Sequence, residues 1–343
     1  MTVNILDPRM INKDEFPSNG SPKEQLYFLL NYAVLAPSNR NVQPWLFRLN
    51  DCSVDIIFDR TRALSIVDPN NRELVISCGA AIGNLELAAR YFGFQTNVEF
   101  AAKEQPTDLL ATVSLTKSAA PSPHDVAIFD AIKQRRTNRS PFSNEKIPKN
   151  VLNKCTHAAA TYDVEFAHFN DQEQKSSIAE LVALADRLQF SQPWFRSELA
   201  SWMHSKRRAS KDGMSARRFG IPDILTPIVG FIVRTFNIGK QVAQRNKQKI
   251  ELGSPVLGIL ASQGDNQADW LNTGRALTHV LLTLTCYGLN AAYLNQAIET
   301  PSLRRRLHKL STTLPYPQIM LRIGQAEQPP PSVRRCVDDC LLM

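Results

Sequence analysis

The sequence predicts an α+β protein assembled from two tandem copies of one unit, and three observations carry that prediction. Residues 79–93 (GAAIGNLELAARYFG) and 274–288 (GRALTHVLLTLTCYG) both place apolar side chains at helical spacing, and each ends in glycine followed by apolar Phe94 or Leu289. This is the pattern of a long buried helix closed by a glycine C-cap. Upstream of each, a helix-like run leads into strand-like sequence: residues 26–38 (LYFLLNYAVLAPS) before LFRL and VDIIF, and residues 151–162 (VLNKCTHAAATY) before VEFAHF. Downstream of each comes a further strand, ATVSL at 111–115 and QIMLRIG at 318–324.

The remaining segments follow from that frame. Residues 118–125 (SAAPSPHD) have linker composition, which sets an N-terminal half at 1–120 and a C-terminal half at 121–343. Residues 171–251 interrupt the second copy and are too long for a structureless loop. They should carry helices and function, and they hold Trp194, Phe195, Trp202, Met203 and the basic run 206–218. The chain thus reads as two halves of a dimer joined end to end.

Composition excludes several classes. With 343 residues, 43% of them hydrophobic and 21% charged, the chain can bury a sizeable core without staples. Its six cysteines show no CxxC spacing and no apolar leader follows Met1, so a cytoplasmic protein with inert thiols and no metal site is expected. The longest apolar run, residues 221–236, contains Asp223, Pro227 and Arg234. It falls short of the roughly 20 apolar residues of a membrane span, so it reads as a lid or interfacial helix and no membrane is expected. The tail CLLM fits a C-a-a-X pattern, but a four-residue match carries little weight. A net charge of +8 is distributed in clusters at 134–139, 206–218, 240–249, 304–309 and 334–335, without RNP, zinc-finger or helix-turn-helix spacing. No nucleic acid is expected, and a phosphate-bearing small molecule is.

Two stretches carry the chemistry. Residues 126–142 (VAIFDAIKQRRTNRSPF) read as a helix ending in Arg135, Arg136, Thr137, Asn138 and Arg139. Cations there favour the helix dipole by about 0.3–1 kcal/mol each, which accounts for Arg135 and Arg136. It does not account for Arg139, which with Thr137 completes a forked donor set suited to one phosphate. The other stretch, residues 36–45 (APSNRNVQPW), crowds amides and small polar residues into a helix-to-strand junction. A buried Pro44-Trp45 turn would not need Asn39 and Asn41.

In RRTNR and APSNRNVQPW the chain resembles the nitroreductase superfamily, whose two FMN-binding signatures have these forms. In that family the arginine signature comes first, whereas here it follows by about a hundred residues. The fused-dimer reading accounts for the reversal, because family members are homodimers holding FMN between subunits, one signature from each. The N-terminal sixteen residues contain no RRTNR equivalent, and AAATYDVEFAHF lacks Asn-x-Gln-Pro-Trp. One flavin site would survive and its symmetry mate would be lost. The arrangement is most similar to the tandem, lidded Acg-like branch, over about residues 26–335.

The resemblance implies a nitroreductase-like fold: an intramolecular pseudo-dimer of antiparallel-rich sheets around long central helices. The fused unit would stand as a monomeric pseudo-dimer, with further pairing open. It implies FMN as cofactor and NAD(P)H as electron donor. The cofactor contacts it implies are Arg135, Arg136, Thr137 and Arg139, and from the other half Pro37, Ser38, Asn39, Asn41 and Gln43. It also implies Asn246 and Lys249 before a central strand, Leu294, Asn295 and Gln296 after Tyr293 against one flavin face, and Arg334 or Arg335 returning to the phosphate. The family's Gly at that flavin face is absent here. Arg139 and Lys249 would be the positive groups near flavin N1 and O2. No side chain is expected to be catalytic, because flavin N5 carries the hydride in a ping-pong reaction, and no G-x-S-x-G, H-E-x-x-H or Walker A pattern occurs. The implied activity is reduction of a small aromatic or quinone-type acceptor. The alternative is a lidded protein that sequesters or senses FMN without turnover.

Overall fold

The computed structural model describes residues 7–101, 108–205, 211–216 and 221–342. Of the basic run at 206–218, residues 206–210 and 217–218 lie outside the described residues. The first sheet is formed by β1 (Trp45–Leu49), β2 (Ser53–Phe58), β3 (Phe94–Phe100) and β4 (Leu109–Lys117), in the order β1-β2-β4-β3. The second is formed by β5 (Val164–Phe169), β6 (Val256–Ser262), β7 (Asn290–Tyr293) and β8 (Tyr316–Gly324), in the order β5-β6-β8-β7. Both are antiparallel throughout, and both slip register at matching places, between Ile56 and Ile57 and between Leu260 and Ala261.

Helices α1 (Pro22–Ala33) and α2 (Arg72–Tyr91) accompany the first sheet, and α3 (Pro123–Gln134) and α4 (Lys149–Ala160) follow it. Ser21 and Glu24 cap α1 reciprocally, and Ser122 and Asp125 do the same for α3. The insertion contains α5 (Gln172–Ser191), α6 (Pro193–Ser201), α7 (Thr226–Thr235) and α8 (Gly239–Leu252). It sits between β5 and β6, where the first sheet has only the turn at residues 50–52. The helices α9 (Gln267–Cys286) and α10 (Pro301–Ser311) complete the set. Among the described residues no helix is long and apolar enough to cross a membrane.

Two sequence expectations need correction. Each long helix is followed by two strands rather than one. The edge strand β3 alternates buried and exposed positions in FQTNVEF, a period-2 pattern that its polar members obscure. The other concerns the arginine signature: α3 stops at Gln134, and Arg135 leaves it with φ −56° and ψ 129°. The signature therefore lies in extended chain beyond the helix, where its side chains diverge instead of stacking on one helical face.

The long helices α2 and α9, 20 residues each, pack against each other at their glycines. A Cβ on Gly79 would lie 2.2 Å from the Leu271 carbonyl oxygen, and one on Gly274 would lie 2.0 Å from that of Ile76. The helices also end alike, with Gly93 (φ 77°) and Gly288 (φ 68°) in the left-handed region. From β8 the chain returns across the molecule, and Leu342 donates to Phe47 O at 2.8 Å, at the edge of the first sheet. This arm brings Arg334 and Arg335 to the N-terminal segments.

Candidate functional site

The junction between α1 and β1 is strained. Arg40, Asn41 and Gln43 all have positive φ (47°, 61° and 52°), a conformation that costs about 1 kcal/mol or more per non-glycine residue. Surrounding bonds hold it in place. Gln43 N donates to Ser38 Oγ (3.0 Å), Arg334 Nη1 donates to Asn41 Oδ1 (2.6 Å), and Arg335 N donates to Gln43 Oε1 (2.9 Å). Pro37 is buried, and Ser38 and Asn39 are half-buried.

The arginine stretch reaches the residue just before the junction, and the returning arm reaches the junction itself. Arg135 Nη2 donates to Leu35 O at 3.4 Å, and Arg334 Nη2 donates to Ala36 O at 3.2 Å. Thr137 bridges in parallel to Ala291 of β7, and Asn138 donates to Ala291 O (3.0 Å) and Glu327 O (2.8 Å). Arg139 shares a cavity of about 370 Å³ with Thr137, Asp212, Gly213, Ser332 and Val333, within the usual size of small-molecule sites. It lies between the arginine signature, the insertion and the returning arm.

Cations gather here. Lys249 Nζ donates to Arg139 O at 2.8 Å, and burial, with Arg322 and Arg139 nearby, holds its pKa below the usual lysine value. Burial likewise holds Arg135 and Arg139 below the ordinary arginine value. Arg322 is brought down to about 10 by burial and then by Arg139. It spends its hydrogen bonds on Gly253 O, Ser254 Oγ and Ser140 O. Among the described residues no carboxylate pairs with Arg135, Arg139, Lys249 or Arg322. Tyr293 stands among Arg135, Arg139 and Arg334; burial pushes its hydroxyl up to about 12, and its Oη has no hydrogen-bond partner among the described residues. Grouped cations of this kind are costly unless an anion joins them.

Other sequence candidates are placed differently. Asn246 Nδ2 and Gln296 Nε2 both donate to Asp186, at 2.9 and 3.2 Å, so they meet on α5. Arg136 donates to the Lys133 and Arg135 carbonyls. Leu294 is buried, with its N–H bonded to Met320 O.

Sequence reasoning missed two residues. Arg322 had a signal, being a lone charge in the buried strand QIMLRIG. Glu73 had none, because it is simply an early residue of a helix. It accepts from Asn39 Nδ2 (2.6 Å), Asn295 Nδ2 (3.1 Å) and Arg72 Nη2 (2.8 Å), and so ties the junction loop to the segment after β7. Burial, then the neighbouring Glu299, pushes its carboxyl from 4.5 up to about 8, against Arg72.

Glu73 gives a pH prediction. The folded chain keeps a proton there that the unfolded chain has already released, so stability falls as pH rises from about 4.5 to about 8. Glu73→Gln cannot ionise. Melts between pH 5 and 8.5 should show wild type losing stability relative to the variant as pH rises, and a constant gap would show Glu73 ionised throughout.

The insertion is latched over the loop. Arg40 Nη1 pairs with Glu198 Oε1 (2.9 Å), and Asp212 accepts from Arg62 Nη1 (2.8 Å). Phe190, Phe195 and Val233 pack on Val42, Leu64 and Val67, and Gln43 Nε2 donates to Lys211 O (2.9 Å).

No family model matches the chain. The Mycobacterium tuberculosis protein named "Putative NAD(P)H nitroreductase acg" is 27% identical over 315 residues, covering 90% of this chain and 92% of that protein. A second M. tuberculosis protein of the same designation is 29% identical over 317 residues, covering 91% and 89%. A Serratia relative named as an NAD(P)H nitroreductase, PigM, is 21% identical over 332 residues, covering 90% of each. Among solved structures, the FMN and NADPH-dependent nitroreductase NfnB of Sphigopyxis sp. strain HMH aligns with a TM-score of 0.42 at 19% identity, over 63% of this chain and 98% of that one. Along nine-tenths of its length the chain is thus similar to proteins named as NAD(P)H nitroreductases, Acg among them.

Proposed function

We propose that the chain is an FMN-dependent NAD(P)H oxidoreductase, a fused pseudo-dimer of halves 1–120 and 121–343, with one flavin site between them and a lid at about 171–251. The observation that carries this is the meeting of Arg135 with the Leu35 carbonyl, beside cations that no described carboxylate neutralises. The names of the homologues support the same reading. The residues fit the cofactor on chemical grounds: a dianionic phosphate would meet the unpaired charge of Arg135, Arg139 and Lys249. Thr137 and the Arg334–Asn41 pair would complete that end. Ser38, Asn39, Asn41, Gln43 and Asn295 offer hydrogen bonds to the polar edge of the ring system.

When bound, FMN supplies the two-electron chemistry between NAD(P)H and a small aromatic or quinone-type acceptor. The chain's part is to orient the groups and exclude water. Arg139 and Lys249, with Arg135, would hold the phosphate, the strained loop would fix the amide donors, and the latched insertion would shield the cavity.

The latches favour a second reading, binding without turnover. Purified protein should be yellow under either. Anaerobic mixing with NADPH separates them: rapid bleaching of the flavin bands marks an oxidoreductase, and a persistent oxidised spectrum marks sequestration. A colourless protein that refuses added FMN refutes both.

A further inference from the structure

We propose that the outer face of the α6–α7 hairpin docks the protein on an anionic lipid bilayer. The apolar run at 221–236 folds into α7 and the turn before it. Ile224, Ile228 and Phe231 follow one another at intervals of four and three residues, which puts them on one helical face, and they are 78%, 55% and 63% exposed. The opposite face, with Thr226 and Val233, is buried, and Val233 packs in the cluster that seats the insertion. This side of α7 is therefore not a core face left open by a poor fit; its inner side already has its core.

Arg196 Nε donates to Arg234 O at 3.4 Å, so α6 starts beside the end of α7. That brings Trp194, 74% exposed, toward Phe236, 55% exposed. An exposed patch of this kind calls for a partner.

Charge selects the bilayer. Residues 193–240 contain nine Lys and Arg against three acids; five of the nine, at 206–208 and 217–218, lie outside the described residues, and each of the three acids has a partner. Glu198 pairs with Arg40, Asp212 with Arg62, and Asp223 accepts from Ser205 Oγ (2.9 Å). Arg234 and Lys240 stay exposed next to the apolar face. A short helix with an apolar face, a tryptophan at its margin and exposed Arg234 and Lys240 beside it matches the chemistry of an anionic membrane surface, and it lies on that surface instead of crossing it. The inference is independent of the flavin reading, since none of these residues is assigned to the cofactor.

The test is flotation of the full chain with vesicles of phosphatidylcholine alone or containing 30% phosphatidylglycerol, in 50 mM and 300 mM salt. Wild type should float with the anionic vesicles at low salt, at least ten-fold more than with phosphatidylcholine, and less at high salt. Its tryptophan emission should shift to the blue, and Trp194→Phe should lose that shift. Ile228→Asp/Phe231→Asp should lower binding at least ten-fold while keeping the wild-type melting temperature, as expected of exposed positions. Equal binding by wild type and the double variant would overturn the proposal, as would absence of flotation at both salt concentrations. Gel filtration showing a dimer that the double variant abolishes would overturn it in favour of a second copy of the chain.

Discussion

Replacing Arg135 and Arg139 together by glutamine should weaken FMN binding by a hundred-fold or more while leaving the fold intact. Each guanidinium can give charge-assisted hydrogen bonds to a phosphate, worth about 1.5–3 kcal/mol apiece, and two such losses amount to between two and four decades in Kd. The fold is expected to survive because neither arginine has a described carboxylate partner. Arg135 contributes one long bond, 3.4 Å, to Leu35 O, and no side-chain bond of Arg139 appears among those of the described residues. Removing two desolvated cations should even raise the melting temperature of the flavin-free protein. Titration with FMN and melting without it therefore move in opposite directions. Unchanged FMN affinity would remove these residues from the cofactor site.

Gly274→Ala and Gly79→Ala should be the most damaging of the small substitutions at the crossing of α2 and α9. At Gly274 the added carbon would meet Ile76 O at 2.0 Å and Ala80 N at 2.6 Å, which are backbone atoms that cannot rotate away. The helices must separate, and overpacking of this kind costs about 1–3 kcal/mol or more. Alanine's higher helix propensity, about 1 kcal/mol, recovers only part of that. Because a carbon on Gly274 also meets Gly79 itself, at 2.7 Å, the double variant should lose less than the sum of the singles: one separation relieves both clashes. Gly230→Ala on α7, where the nearest atoms are 3.9 Å away, should be neutral or slightly stabilising. Thermal or denaturant melts of the four variants check the ordering, and an unchanged midpoint for Gly274→Ala would contradict the close approach.

The contact between the insertion and the junction loop is sensitive to a smaller change. Glu198→Gln leaves Arg40 buried without its partner and weakens the acceptor of the Ile66 N–H, now at 2.7 Å. If the latch limits access, NADPH should bleach the bound flavin faster in this variant than in wild type.

Local signals accounted for much of the architecture. The glycine-ended helices and the excess length at 171–251 could be read because helical period, capping and loop length are properties of short windows, whereas the stretch 118–125, read as linker, already enters α3 at Pro123. The edge strand β3 escaped because its exposed face is polar, and the end of α3 because Arg135 is a good helix former whose extended conformation is set by its neighbours. For the candidate site, residue types were legible and partners were not. Asn39 and Asn41 could be picked out as surplus amides, but nothing local indicates that Glu73 would tie Asn39 to Asn295, or that Asn246 and Gln296 would converge on Asp186 of α5.

By itself the sequence determined the α+β class, the recurrence of a long glycine-ended helix, and the presence of an arginine-rich stretch and an amide-rich junction. Only the tertiary structure decided that Arg135 reaches Leu35, that Arg334 returns from the far end of the chain to Asn41, and that Arg322 joins the same positive cluster. The reason is physical. Periodicity and capping depend on bonds within a few residues, whereas the charge state and strain of a buried site depend on which distant side chains share its volume once water has been excluded.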